Sequence, residues 1–322
     1  MKIWKKSYEI KIARWILPIL NWAKKVTIPG FNKIPIYDVG IFFYKGLKDG
    51  AISTRAASVS FNIFIAVFPL IIFIFTLIPI LPIKNFQTEL LEIIASMVPN
   101  TVYYSIQKTI EDIIIIPHSG LLSIGFILAI YFSSNGIVSL ISAFNASVNI
   151  IDTRRWWEVR LISLLLIGIL STLVLSGVTL ITFTQKVLDL LVREEIMKQD
   201  FLYYLVSLGK WFVIFALFYF AYSFLFYLGP AKRSKWKFIS AGGTLATILS
   251  IIVTLGFSYY INQFGKYNAL YGSIGAIPVI MLMIYYNCAS LIIGFELNVG
   301  IIAAHRKNSE SEKLQCTDQE LK

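Results

Sequence analysis

Residues 274–304 read IGAIPVIMLMIYYNCASLIIGFELNVGIIAA, and Glu296 is the only carboxylate in that run. The run exceeds the roughly 20 apolar residues that carry a helix across a hydrocarbon core of about 30 Å. It therefore reads as a membrane span. A charged side chain at membrane depth costs on the order of 2.5–3.5 kcal/mol on insertion scales. A helix keeps such a group only if it is paired, neutralised or set against a polar cavity, so Glu296 is a candidate site residue.

The rest of the chain fits a span of that kind. The 322 residues are 57% hydrophobic and 15% charged, with a mean hydropathy of +0.72. Soluble domains are closer to about 25% charged. Apolar runs predict an all-α polytopic protein, a bundle of six spans at 57–81, 121–147, 161–184, 203–228, 238–262 and 274–303. Of the 29 Lys and Arg residues, 22 fall on one side of this arrangement and 7 on the other. Cationic loops stay in the cytoplasm, so both termini are expected there. The net charge of +11 is thus a membrane-topology signal, and no nucleic-acid partner is expected. Trp156, Trp157 and Trp236, beside basic clusters, fit an interfacial aromatic belt.

Outside the spans, residues 1–37 form a predicted interfacial region. Trp4, Tyr8, Ile12, Trp15, Ile19, Trp22 and Val26 share one helical arc, with Lys2, Lys6, Arg14, Lys24 and Lys25 elsewhere on the wheel. Such a helix suits the anionic lipids of the inner leaflet; packing on the protein's own loops is the alternative. Pro18 interrupts the first apolar run, and no cleavable signal peptide is expected. Between the first two spans, the spacing from Phe86 to Ile116 predicts two external amphipathic helices around Pro99-Asn100. These either cap the bundle or rest on the bilayer. Residues 305–322 are polar and read as a disordered tail. Cys288 and Cys316 are too far apart in depth to predict a disulfide.

Several polar and small residues stand out in the apolar background. Arg55 enters the membrane near the depth of Glu296. The two either clamp the first span to the last or serve transport directly. Asn287, Gly294 and Asn298 share one helical face. They read as interhelical packing or, with Asn62, Asn135, Asn145 and Asn262, as a polar pathway. Gly272 and Gly275 fit a tight turn admitting close helix approach better than an anion cradle. Gly242-Gly243 also reads as close packing, and Pro69 and Pro79 as kink positions. His118 and His305 are the only histidines, and no Cys/His/carboxylate cluster has metal-ligand spacing. No enzyme activity, cofactor or metal is expected, and without a nucleotide-binding motif no ATP hydrolysis either.

The stretches Arg55-Ala56-Ala57-Ser58-Val59-Ser60-Phe61, Phe68-Pro69-Leu70, Tyr267–Ala276 and Gly294-Phe295-Glu296-Leu297-Asn298 resemble the YihY/BrkB family of bacterial inner-membrane proteins. Trp156–Arg160 fits as well, and the resemblance covers about residues 38–304. It implies a six-helix membrane domain. The family's older ribonuclease BN label is generally regarded as a misassignment, and some members are linked to serum resistance or envelope processes. Pro278 stands where an aliphatic residue is common, which bears on the straightness of the last span.

Together these features predict movement of an envelope-related solute, amphiphile or lipid across a bacterial inner membrane, or else a non-transporting scaffold in envelope assembly or stress resistance. The charge distribution yields a direct test. Reporters fused after Lys322 and inserted near Lys108 are expected on opposite sides of the membrane; finding both on one side breaks the six-span arrangement.

Overall fold

Inside lipid, every backbone N–H and C=O must be satisfied within its own segment, so each apolar run closes into a helix. The computed structural model describes residues 24, 26–27, 34–77, 119–147, 152–193, 199–231, 237–263 and 276–320. The helices are α1 (Ile36–Asp49), α2 (Ile52–Leu77), α3 (Ser119–Ser147), α4 (Trp156–Arg193), α5 (Gln199–Leu228), α6 (Ala241–Gln263) and α7 (Ala276–Glu320). α2 to α7 are each long and apolar enough to cross a membrane. Among the described residues there is no strand, only an isolated bridge between Thr27 and Pro35.

Each spanning helix packs on its neighbours in chain order, and α7 returns to α2, closing a ring. The most extensive contact, α2 on α3, is antiparallel: Gly136 lies against Ile63, and Gly125 against Ile72 and Phe73. Lipid tails are as apolar as the helices, so association depends on close packing and hydrogen bonds. That packing is concentrated where α2, α4 and α6 begin and α3 and α5 end, here termed the terminal end. Phe144, Phe226 and Phe295, from α3, α5 and α7, are all fully buried there. Phe295 stacks on Phe144 at 4.3 Å between centroids, and Phe226 meets both edge-on. Beside them α6 and α7 touch backbone to backbone at Gly242 and Gly294. A Cβ on Gly294 would stand 2.5 Å from the Gly242 carbonyl oxygen and 2.6 Å from the Ala246 Cβ.

Two features depart from the sequence reading. The tail expected to be disordered from residue 305 continues as helix to Glu320. Nucleating a helix is the costly step and α7 is already nucleated by its span; residues 305–320 contain neither Gly nor Pro. Secondly, α1 precedes the first span, where no helix was anticipated. Its Val39 packs with Ile34, Ile301 and Ala304, and Phe43 lies against Gly300. α1 therefore runs antiparallel along α7, from Ala304 down to Glu296. The observed helices also overrun several expected spans, α7 through its tail and α4 at both ends. The N-terminal stripe, the external amphipathic helices and the Gly272/Gly275 turn lie outside the described residues.

Candidate functional site

α1 ends at Gly50, whose N–H bonds the Gly46 carbonyl at 2.9 Å. The chain then reverses through Ala51, which has a φ of 45°, a left-handed conformation that L residues adopt at a cost. This turn delivers Arg55, one turn into α2, to the carboxylate of Glu296. Arg55 Nη2 donates to Glu296 Oε1 at 2.5 Å, and the two side chains are 12% and 3% exposed. Arg55 Nη1 donates to the Ala143 carbonyl at 2.9 Å and to Ser147 Oγ on α3. One guanidinium thus joins α2, α3 and α7. Its Nε is buried without a hydrogen-bond partner among the described residues.

Glu296 lies within the candidate membrane span Ile277–Ser309. Glu296 is about 30 Å along the helix axis from Ala276 at ~1.5 Å per residue, roughly the hydrocarbon thickness. Gly46 of α1 and its cap Gly50 leave room for the carboxylate. A Cβ on Gly46 would lie 2.7 Å from Glu296 Oε2. One on Gly50 would lie 2.6 Å from Arg55 Nη2 and 3.1 Å from Glu296 Oε1. Around the pair opens a cavity of about 580 Å³ whose walls include Lys45, Asp49, Arg55, Ser147, Glu296 and Gly300. Two cations and two carboxylates line it, an arrangement able to receive a dipolar or zwitterionic group.

The other polar residues do not converge on this cavity. Asn298 accepts the Gly242 N–H at 2.9 Å and donates to Ser240 Oγ at 3.0 Å. It thereby satisfies donors that a helix start leaves open. Asn287 returns its amide to the Met283 carbonyl and Asn62 to the Ser58 carbonyl, each at 2.9 Å within its own helix. Asn135 is half-buried on α3, and Pro69 is buried inside α2. Asn145 bonds Asp152 and the Ala231 N–H, while Asp152 pairs with Arg154 at 2.6 Å. The Arg154 side-chain hydrogen bonds hold the Asp152 carboxyl below the usual carboxylate range, against a partial desolvation that would raise it. This cluster ties the α3–α4 loop to Gly229 after α5, whose carbonyl accepts from Arg154.

Sequence reading missed Gly46, Gly50, Lys45, Asp49 and Ser147. The available signal was the Gly-x-x-x-Gly spacing of 46 and 50, a small-residue pattern that admits close helix approach. A contrast between glycines of α1 tests the cradle. Gly46→Ala is expected to destabilise by about 1–3 kcal/mol through overpacking against a held carboxylate. Gly40, with nothing within 4 Å of an added Cβ, is expected to tolerate Gly40→Ala or gain up to ~1 kcal/mol from helix propensity. Thermal unfolding of both variants checks this; equal effects would remove the cradle.

Comparison with known proteins agrees with this architecture. A family model described as Virulence factor BrkB matches residues 43–319. The Bacillus subtilis "Putative ribonuclease-like protein YfkH" is 27% identical over 245 residues, 76% of this chain and 88% of its own. A "UPF0761 membrane protein" of Tolumonas auensis is 23% identical over 270 residues, covering 79% and 82%. A UPF0761 membrane protein of Vibrio cholerae is 32% identical over a shorter stretch of 87 residues, 27% of this chain and 29% of its own. No solved structure matches. A membrane protein with six candidate spans among its described residues, matched by the family model over most of its length, this chain belongs to the BrkB family.

Proposed function

We propose that this protein moves an envelope-related solute or amphiphile, lipids included, through a bacterial inner membrane without hydrolysing ATP. Both termini then lie in the cytoplasm, as the distribution of Lys and Arg favours. The carrying observation is Glu296, a 3% exposed carboxylate that also lines a cavity of about 580 Å³. Ionisable groups at membrane depth that face a cavity commonly mark substrate or proton paths. With Lys45, Asp49 and Arg55 in the same walls, the cavity offers both signs of charge to a headgroup whose tail stays in lipid. The family description and the UPF0761 relatives' names are compatible with an envelope role and specify no substrate.

A second reading is a non-transporting scaffold, favoured by Arg55 bridging α2, α3 and α7 at once. The two part in a reconstituted system. Liposomes carrying the full chain would be assayed for lipid scrambling and proton-coupled solute flux, beside Glu296→Gln measured below its own unfolding temperature. Flux from wild type that is lost in the folded variant is the result expected of a mover. No flux from wild type over a broad lipid and solute panel would leave the scaffold.

A further inference from the structure

A second arginine on a spanning helix lies outside the walls of the terminal cavity. Arg160, one turn into α4, donates from Nη1 to Ser134 Oγ at 2.7 Å. Ser134 in turn shares a 2.7 Å hydrogen bond with Ser163. The guanidinium carbon stands 4.9 Å from the Tyr131 ring centre and 5.6 Å from that of Trp156. Its direction is unusual. Helical side chains lean toward the N-terminus of their helix, which for Arg160 is the terminal end. Instead the guanidinium reaches Ser134, about 16 Å along α3 from Asn145 at ~1.5 Å per residue. The guanidinium is thus held between Ser134 of α3 and the Trp156 ring in the first turn of α4.

Nothing acidic among the described residues answers it. Asp152 is paired with Arg154, and Glu158 accepts the Arg155 backbone N–H at 3.0 Å. Glu158 is also two positions from Arg160, so the two do not face one another on the helix. Arg160 is half-buried, and none of its remaining guanidinium donors is a buried atom lacking a partner among the described residues. Tyr131 and Trp156 are 51% and 74% exposed, and the apolar side chains beside them, Ile127, Leu128, Leu161 and Leu164, are exposed too.

We propose that Arg160, held by Ser134 and flanked by Tyr131 and Trp156, binds the phosphate of an anionic phospholipid on the flank between α3 and α4. A guanidinium presents planar donors that match phosphate bidentately. A guanidinium beside the interfacial tryptophans, with no carboxylate partner among the described residues, favours an anion, and a lipid phosphate at that depth supplies one. The exposed leucines and isoleucines offer a surface along which acyl chains lie. The site is separate from the Arg55–Glu296 cavity and holds whether the protein moves lipid or only retains it.

The test is retention of phosphatidylglycerol against phosphatidylcholine of matched chains by the purified full-length protein, read by native mass spectrometry. Wild type is expected to prefer phosphatidylglycerol. Arg160→Gln is expected to weaken its retention about tenfold with the loss of a charge-assisted phosphate contact, with Arg160→Lys intermediate. Trp156→Leu, at an exposed position, is expected to weaken it several-fold. Displacement of the lipid by equimolar inorganic phosphate would make this a free-anion site and overturn the proposal. So would unchanged retention in a folded Arg160→Gln. Should that variant not fold, unchanged retention in both Arg160→Lys and Trp156→Leu would overturn it.

Discussion

The ion pair between Arg55 and Glu296 is the constraint around which the terminal end is arranged. A carboxylate that is 3% exposed is tolerated only with a partner, because desolvating a lone charge costs several kcal/mol. The partner must arrive from another helix at the right depth. The turn at Gly50 and Ala51 sets where α2 begins. Gly46 and Gly50 leave room for the carboxylate, and Ser147 and the Ala143 carbonyl take up the second guanidinium nitrogen. A buried pair adds little net stability over an apolar replacement, but breaking it is expensive. Its consequence is specificity: one register of α2, α3 and α7 satisfies the charge.

Around that pair, packing and hydrogen bonding reinforce the same end. The phenylalanines of α3, α5 and α7 fill the centre, and Gly242 against Gly294 brings α6 onto α7. Asn298 and Ser240 close the start of α6, and Asn145, Asp152 and Arg154 tie two loops together. The hydrogen bonds and the ion pair among these satisfy backbone groups or charge that would otherwise be left unpaired. The cavity is bounded by α2, α3 and α7 on one side and by α1 and its closing turn on the other.

The spans were legible in the sequence because membrane insertion is decided locally, by the length and apolarity of a single run. Glu296 and Arg55 were legible for the same reason, as charges in an apolar background. What they touch was less so. Gly46 and Gly50 matter through a neighbour some 250 positions along the chain, and composition carries no trace of that contact. α1 was overlooked because its apolar positions, Ile36, Val39, Phe42, Phe43 and Leu47, make a short amphipathic pattern beside much stronger runs. The asparagines read as interhelical packing or as a polar pathway; Asn62, Asn287, Asn298 and Asn145 each bond a backbone group at a separate place, which depends on helix orientation. The helical tail defied its polar composition because α7 had already nucleated it.

The most direct measurement of the pairing is a double-mutant cycle of thermal unfolding on Arg55→Gln, Glu296→Gln and the double variant in one detergent. Each single change strands a buried charge and is expected to cost about 3 kcal/mol. The double variant strands neither, so it is expected to fall short of the sum by about 1–3 kcal/mol. Additive effects would contradict the pairing as the constraint on which the bundle depends.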